Sequence, residues 1–444
     1  MSAASLRCLR RVRADSKQLA PLPQQADHVR LVKVGSETAP VVALIVRARV
    51  SLAFVVLAAA SITCVGLPQA AERTASPARA EVTVDVITPF PPSEYVLPTG
   101  ALHIASSAAL IAALDDMGTP RDIVLADGIY DNTRPFLNPN GHRLYAEHLG
   151  GAVLRAGISV GGNSGPGRAL VRGLAFDVSD PAKTEQNSIV HVWGTGAGSR
   201  ILDSTFNGNR AIGAAIVALQ VDGLVVQRVR VRDFTSYGVF ADSYPLTSLV
   251  LTTPVLLEDL DVAGVSRAIP KSAGGTAEAC VWLGNTGTVR RALMRNCAWM
   301  GLWTGSGSRD SLFEHLDIDS TMVGIYAEHY TYRATFRYMK IGSSVREGIV
   351  CEWNNPLTGG LPACEDNTFE DGEIGSYRTG AFLDVGTARV VMRRIKFVNQ
   401  CWAAIADNRG VNNSLEWATL DTTGIDSTAR ALRINEDVNT ANCQ

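Results

Sequence analysis

SRDSLFEHLDIDSTMVGIYAEH, residues Ser308 to His329, is followed almost at once by YRATFRYMKIGSSVREGIVCEW, residues Tyr332 to Trp353, and the two can be written one beneath the other. DGLVVQRVRVRDFTSYGVFAD (Asp222–Asp242) and GTVRRALMRNCAWMGLWTG (Gly287–Gly305) precede them in the same pattern, and CEDNTFEDGEIGSYRTGAFLDV (Cys364–Val385) and ARVVMRRIKFVNQCWAAIADN (Ala388–Asn408) continue it. From about residue 168 the unit recurs at intervals of roughly 21 to 24 residues. Each unit is a set of three- to five-residue alternating runs punctuated by Asn, Asp, Ser and Gly, with no helical period. Such a unit cannot bury its apolar face alone, so the units must stack into a solenoid of β-coils.

Alternation then assigns sides, because neighbouring strand residues point oppositely. In Gly324-Ile325-Tyr326-Ala327-Glu328, Ile325 and Ala327 face in while Tyr326 and Glu328 face out. Applied to every coil, the rule predicts one outward row of Phe240, Trp282, Trp303, Tyr326, Val350, Phe382 and Ile405. It predicts a second row of Asp242, Gly284, Gly305, Glu328, Glu352, Asp384 and Asp407. Adjacent coils are about 4.8 Å apart, so acids in one row are forced together unless one is protonated or a cation lies between them. Rings beside carboxylates suit sugars, whose C–H faces stack on aromatics while hydroxyls bond to acids. Taken singly, an acid at a strand end merely solvates a turn. The alignment is what points to a site.

The chain resembles the right-handed parallel β-helix proteins of the pectate-lyase-like superfamily over about residues 100–420. The match is sharpest at the front, where Ser107–Arg121 reads as an amphipathic capping helix and Asp122–Tyr130 as the first strand ending in Gly-x-Tyr. The resemblance implies an all-β solenoid with an N-terminal capping helix and does not specify a reaction; the acidic and aromatic outer rows are what point to a secreted carbohydrate-active enzyme cleaving a polysaccharide. A glycoside hydrolase is slightly favoured over a Ca²⁺-dependent polysaccharide lyase, and a non-catalytic glycan-binding surface protein is the alternative. Glu328, Glu352, Asp384 and His329 are the catalytic candidates. Trp282, Trp303, Tyr326, Phe240, Phe382, Asp242, Asp407 and Arg333 are the substrate-binding ones. Glu328, Glu352 and Asp384 would also hold Ca²⁺, which neutralises a uronate carboxylate for elimination. A lyase needs a base, for which His329, Arg333, Lys271 and Arg346 are available. Arg394-Ile395-Lys396 is similar to a polygalacturonase triplet, but the paired-Asp and Gly-His-Gly segments that accompany it there are missing, and Ile395 fits a buried repeat position.

The 444 residues are 46% hydrophobic and 19% charged, with net charge −2, which gives no reason to expect a nucleic-acid partner. The charge is uneven. Residues 1–80 carry 11 Lys and Arg against 4 Asp and Glu, whereas the remainder carries 30 against 39. The basic leader holds an apolar stretch, Val50–Leu67, preceded by Arg47 and Arg49 and followed by small and polar residues, the pattern of a secretory signal. An uncleaved membrane anchor is the competing reading of those 18 residues. Residues 81–104 read as a linker, 105–420 as the β-helix, and 421–444 as a C-terminal cap. Six of eight cysteines lie beyond the leader, consistent with a secreted or cell-surface protein, and Cys351–Cys364 is the preferred bridge because the pair flanks a Pro/Gly-rich excursion. No Cys/His spacing suits zinc.

Overall fold

In the computed structural model the described residues are 94–161, 168–194, 197–242, 253–265, 278–305, 307–328, 330–344, 346–352, 364–408, 412–434 and 443. The leader, with the apolar stretch 50–67, lies outside them, and no described helix is long and apolar enough to cross a membrane. Every long-range strand pair among the described residues is parallel. Twelve strands, from Phe136–Asn138 to Arg430–Ile434, form one sheet, and eighteen form another that bends round the rest of each coil. This is a parallel β-helix, with the right-handed winding that parallel crossover connections adopt.

The larger sheet turns a corner inside its own strands. Val225–Phe234, Val255–Val265, Gly287–Arg295, Leu312–Asp319, Thr335–Ile341, Thr368–Ile374 and Val391–Val398 each carry a left-handed non-glycine residue at the same register position. These are Arg228, Asp259, Arg291, His315, Tyr338, Asp371 and Arg394, with φ between 51° and 55°. For a residue with a Cβ this conformation costs about 1–2 kcal/mol. Coil-to-coil pairing offsets the cost: Asp259 with Arg291 at 2.6 Å, Asp371 with Arg394 at 2.6 Å, and the rings of His315 and Tyr338 stacked at 4.8 Å. Inside, like residues stack in register. The rings of Phe313, Phe336 and Phe369 lie 4.5 Å apart, nearly parallel.

Outward columns on this sheet alternate in charge. Glu258, Arg290, Glu314, Arg337, Glu370 and Arg393 are successive partners in register. Arg337 meets Glu314 at 2.7 Å and Arg393 meets Glu370 at 2.7 Å. Glu314 and Glu370 thereby lie between arginines in register, and Glu258 between Gln227 and Arg290, so no two acids of the column are neighbours.

The helix Ser107–Leu114 closes the first coil, with Ser106 as N-cap and Leu110 and Leu114 fully buried on the core. It is shorter than the sequence suggests: residues 115–121 carry Gly118 and Pro120 and turn into the first coil instead. At the other end the winding outlasts residue 420, since Arg430–Ile434 pairs in parallel with Ala403–Asp407. Cys351 is joined to Cys364, Cys280 to Cys297, and Cys401 to Cys443. Ile395 is buried in the core, while Arg394 and Lys396 pair with Asp371 and Glu373, so that triplet is ordinary coil.

Candidate functional site

The twelve-stranded sheet carries the outward rows. A column of glycines, Gly238, Gly301, Gly324, Gly348 and Gly380, opens its strands, and a Cβ at any of them would lie 2.5–2.8 Å from a carbonyl oxygen of the next coil. The register beyond them runs Phe240, Trp282, Trp303, Tyr326, Val350, Phe382, as alternation predicts. The next member is Ala406, not Ile405, which is buried in the core. Ala403, Ala404 and Ala406 give no contrast between faces, so the sequence reading slips there by one residue. Asp407 therefore leaves the acidic row, pairing instead with Leu383 in register and accepting from Asn413 Nδ2 at 3.2 Å. Asn408 takes its place and donates to Asp384 Oδ1 at 3.0 Å.

The rings do not form an open platform. Trp282 and Trp303 are 6% and 9% exposed, Val350 and Phe382 are also buried, and Phe240 and Tyr326 are half-buried. Trp282 and Trp303 meet edge-on at 4.1 Å, and Trp303 meets Tyr326 edge-on at 5.6 Å. Their polar atoms hold the acids. Trp282 Nε1–H donates to Asp242 Oδ2 at 3.1 Å and Trp303 Nε1–H donates to Glu328 Oε2 at 3.1 Å, while Tyr326 acts electrostatically on Glu352. Backbone bonds fix the acids' own positions: Glu328 N to Thr304 O at 2.8 Å, Glu352 N to Ala327 O at 2.9 Å, Asp384 N to Cys351 O at 2.9 Å.

Two glycines open the space into which the carboxyls lean. A Cβ on Gly284 would sit 2.4 Å from Asp242 Oδ1, and one on Gly305 would sit 3.0 Å from Glu328 Oε2. Burial pushes Glu328 up to about 8, and the charge of Glu352 adds to it, while the Trp303 bond opposes. Glu352 is also raised, chiefly by burial and further by Asp384, with Tyr326 opposing. The two carboxyls are coupled, and Glu328, at about 8, is held well above the ordinary carboxylate range. Tyr326 is raised well above its ordinary value by burial and by Glu352 and Glu328.

Arg333 stands elsewhere. It occupies a left-handed corner (φ 54°) in a second ladder of alternating charge, both guanidinium contacts to Asp310 being 2.6 Å. Arg346 and Arg378 pair with Glu347, at the opposite end of the strands from the acids. His329 and Lys271 lie outside the described residues. The sequence reading misses Tyr237 and Glu278. Tyr237 has the wrong parity for the outer face, but the bend at Gly238 returns its ring to Phe240, at 4.8 Å. Glu278, at 1% exposure, immediately precedes the strand Ala279–Gly284. The glycine that opens each strand is the signal that parity breaks.

Glu328, Glu352 and Asp384 do not converge as a Ca²⁺ site. Their oxygens face Trp303, Tyr326, the Val385 N–H at 2.7 Å and Asn408. The one three-ligand cluster among the described residues is Asp127, Glu147 and His148 in the first coils, with ligand atoms within 4.8 Å of one another.

No protein-family profile and no characterised protein sequence matches the chain. Among solved structures it is similar to an alginate lyase from Paenibacillus sp. str. FPU-7, at 9% identity over 74% of this chain and 99% of that one, TM-score 0.39. It is also similar to the catalytic unit of a GH87 alpha-1,3-glucanase from Streptomyces thermodiastaticus strain HF3-3, at 12% identity over 78% and 71%, TM-score 0.47. A PL6 alginate lyase in complex with a trisaccharide gives 12% identity over 76% and 86%, TM-score 0.43. Similarity at this level says nothing about chemistry.

Proposed function

We propose that the protein is an exported carbohydrate-active enzyme that cleaves a polysaccharide by hydrolysis, with Glu328 as general acid and Glu352 as its partner carboxylate. The observation that carries this reading is a contrast within the fold. Where acids stack on the larger sheet they alternate with arginine, from Glu258 through to Arg393. Glu328, Glu352 and Asp384 follow one another in consecutive coils, acid beside acid in the row. A chain that alternates acid with arginine elsewhere keeps these three in succession, half-buried, with the Trp303 N–H on Glu328. Such an arrangement opposes stability and suits acid–base work.

The roles follow from the raised Glu328 carboxyl and its neighbour one coil away. Glu328, protonated at neutral pH, gives its proton to the glycosidic oxygen as the bond breaks. Glu352, one coil away, is the carboxylate that faces the anomeric carbon. One strand spacing of about 4.8 Å lies near the ~5–5.5 Å of pairs that act through a covalent intermediate. Glu328, now ionised, then takes a proton from the water that releases the product. Three disulfides accord with an oxidising, extracellular compartment, as export requires. The test is depolymerisation of a panel of neutral, amino-bearing and uronate polysaccharides by the full chain and by Glu328→Gln and Glu352→Gln. Loss of cleavage by at least about 100-fold in both variants, with fold retained, is expected. Undiminished cleavage by either refutes the assignment.

A further inference from the structure

Toward the N-terminus the outward rows run on past Phe240 and Asp242 with a different content. His191 lies in register with Val217, which pairs with Phe240, so it belongs to the aromatic row. Trp193 lies in register with Leu219, which pairs with Asp242, so it belongs to the row that leads to Glu328. The strand Ser188–Trp193 sets the two rings on one face, nearly parallel at 17°, with centroids 5.8 Å apart. The imidazole is a fixed support. It is 2% exposed, its Nδ1 meets the Ser188 hydroxyl at 3.2 Å, and burial lowers it to about 4, so it packs as a neutral ring. Trp193 is 38% exposed, whereas Trp282 and Trp303 are buried. Val217 and Leu219, both half-buried, continue the surface from these rings to Phe240 and Asp242. A single exposed apolar side chain is ordinary, but this indole is steadied by a buried ring and stands in the row of the acids.

Resting on the hydrolase reading above, we infer that Trp193 is a sugar-binding platform at the far end of one long cleft, and that the enzyme cuts inside a polysaccharide chain laid along the helix axis. Five coil steps separate Trp193 from Glu328 in register, about 24 Å at one strand spacing per coil. That interval is several sugar units long, so a chain that stacks on Trp193 and reacts at Glu328 occupies the row between them. The rings nearest the acids are buried against one another and cannot receive the flat face of a sugar, whereas the Trp193 indole is open to one. Binding energy gathered this far from the reacting bond serves to orient that bond, so the length of the substrate governs its rate.

The experiment takes whichever polymer the full chain cleaves and compares kcat/KM on its purified oligomers, from disaccharide to octasaccharide. For the full chain kcat/KM should climb at least about ten-fold, about 1.4 kcal/mol, as oligomers become long enough to reach from Glu328 to Trp193, and level off beyond. Trp193→Ala should lose that climb while cutting trisaccharides within about two-fold of the full chain, and Trp193→Phe, which keeps a ring, should recover most of it. Trp417→Ala removes an indole of similar exposure (36%) outside the row and should leave the length profile unchanged. Early products of the polymer should be long fragments rather than single sugars. A profile flat in length, or one that Trp193→Ala lowers equally at every length, overturns the inference and leaves the hydrolase reading standing. No cleavage of any polymer removes both.

Discussion

Replacing Glu328 by Gln isolates the protonation that the mechanism needs. In the folded protein burial and Glu352 hold this carboxyl at about 8, against an ordinary value of 4.5. The folded state therefore binds a proton that the unfolded chain has released between those two values. Stability falls with pH wherever the folded state binds more protons, so this group's contribution is fully present below about 4.5 and is lost as pH rises through about 8. The interval of about 3.5 pH units corresponds to at most about 5 kcal/mol, and about 2–4 kcal/mol after allowing for the solvent contact the side chain retains. Gln cannot ionise, so its stability should lack that decline. Denaturant unfolding of both proteins from pH 4.5 to 9 measures this directly: at pH 4.5 the two should be close, and at pH 9 Glu328→Gln should be the more stable by about 2–4 kcal/mol. Parallel curves, or a variant less stable at pH 9, would refute the account of Glu328 as a carboxyl that is neutral at physiological pH.

Other outcomes follow from single contacts. Trp303→Phe deletes the N–H that holds Glu328 down, so the alkaline limb of the pH–rate profile should move upward and the turnover fall by about ten-fold, read from kcat against pH. Gly305→Ala places a Cβ 3.0 Å from Glu328 Oε2, so the carboxyl must swing away; activity should drop by at least about ten-fold with the thermal midpoint little changed. Gly324→Ala sets a Cβ 2.5 Å from the Gly348 carbonyl oxygen, in backbone that cannot yield, and should lower soluble yield and the unfolding midpoint sharply. Removing the Cys351–Cys364 bridge frees a loop of 13 residues' separation and should cost about 2–4 kcal/mol in denaturant unfolding.

Much of the fold is legible in the chain because a β-helix repeats its decisions. Phe313, Phe336 and Phe369 announce one inward column, and the outward column from Phe240 to Phe382 follows from alternation alone. Alternation fails where both faces carry the same residue type, as at Ala403, Ala404 and Ala406, and that is why it places Asp407 in the acidic row instead of Asn408. It fails again where the backbone turns at Gly238, which brings Tyr237 to the outer face. Burial is a third quantity that spacing does not carry. Trp282 and Trp303 read as sugar platforms in one dimension, whereas in three their ring edges meet and their N–H groups face carboxylates. Left-handed corners are equally silent in the sequence, because Asp, Arg, His and Tyr all occupy them, so Arg333 gives no warning that Asp310 already holds it.

The central claim is that a pair of carboxyls on this face breaks a glycosidic bond by hydrolysis. The most direct measurement follows two products of the same reaction, new reducing ends and the ultraviolet absorbance of an unsaturated uronate, with and without a chelator. Reducing ends that accumulate without absorbance, unaffected by the chelator and abolished in Glu328→Gln, are the predicted result. Absorbance that rises with the reducing ends and vanishes with the chelator would show metal-dependent elimination and contradict the account.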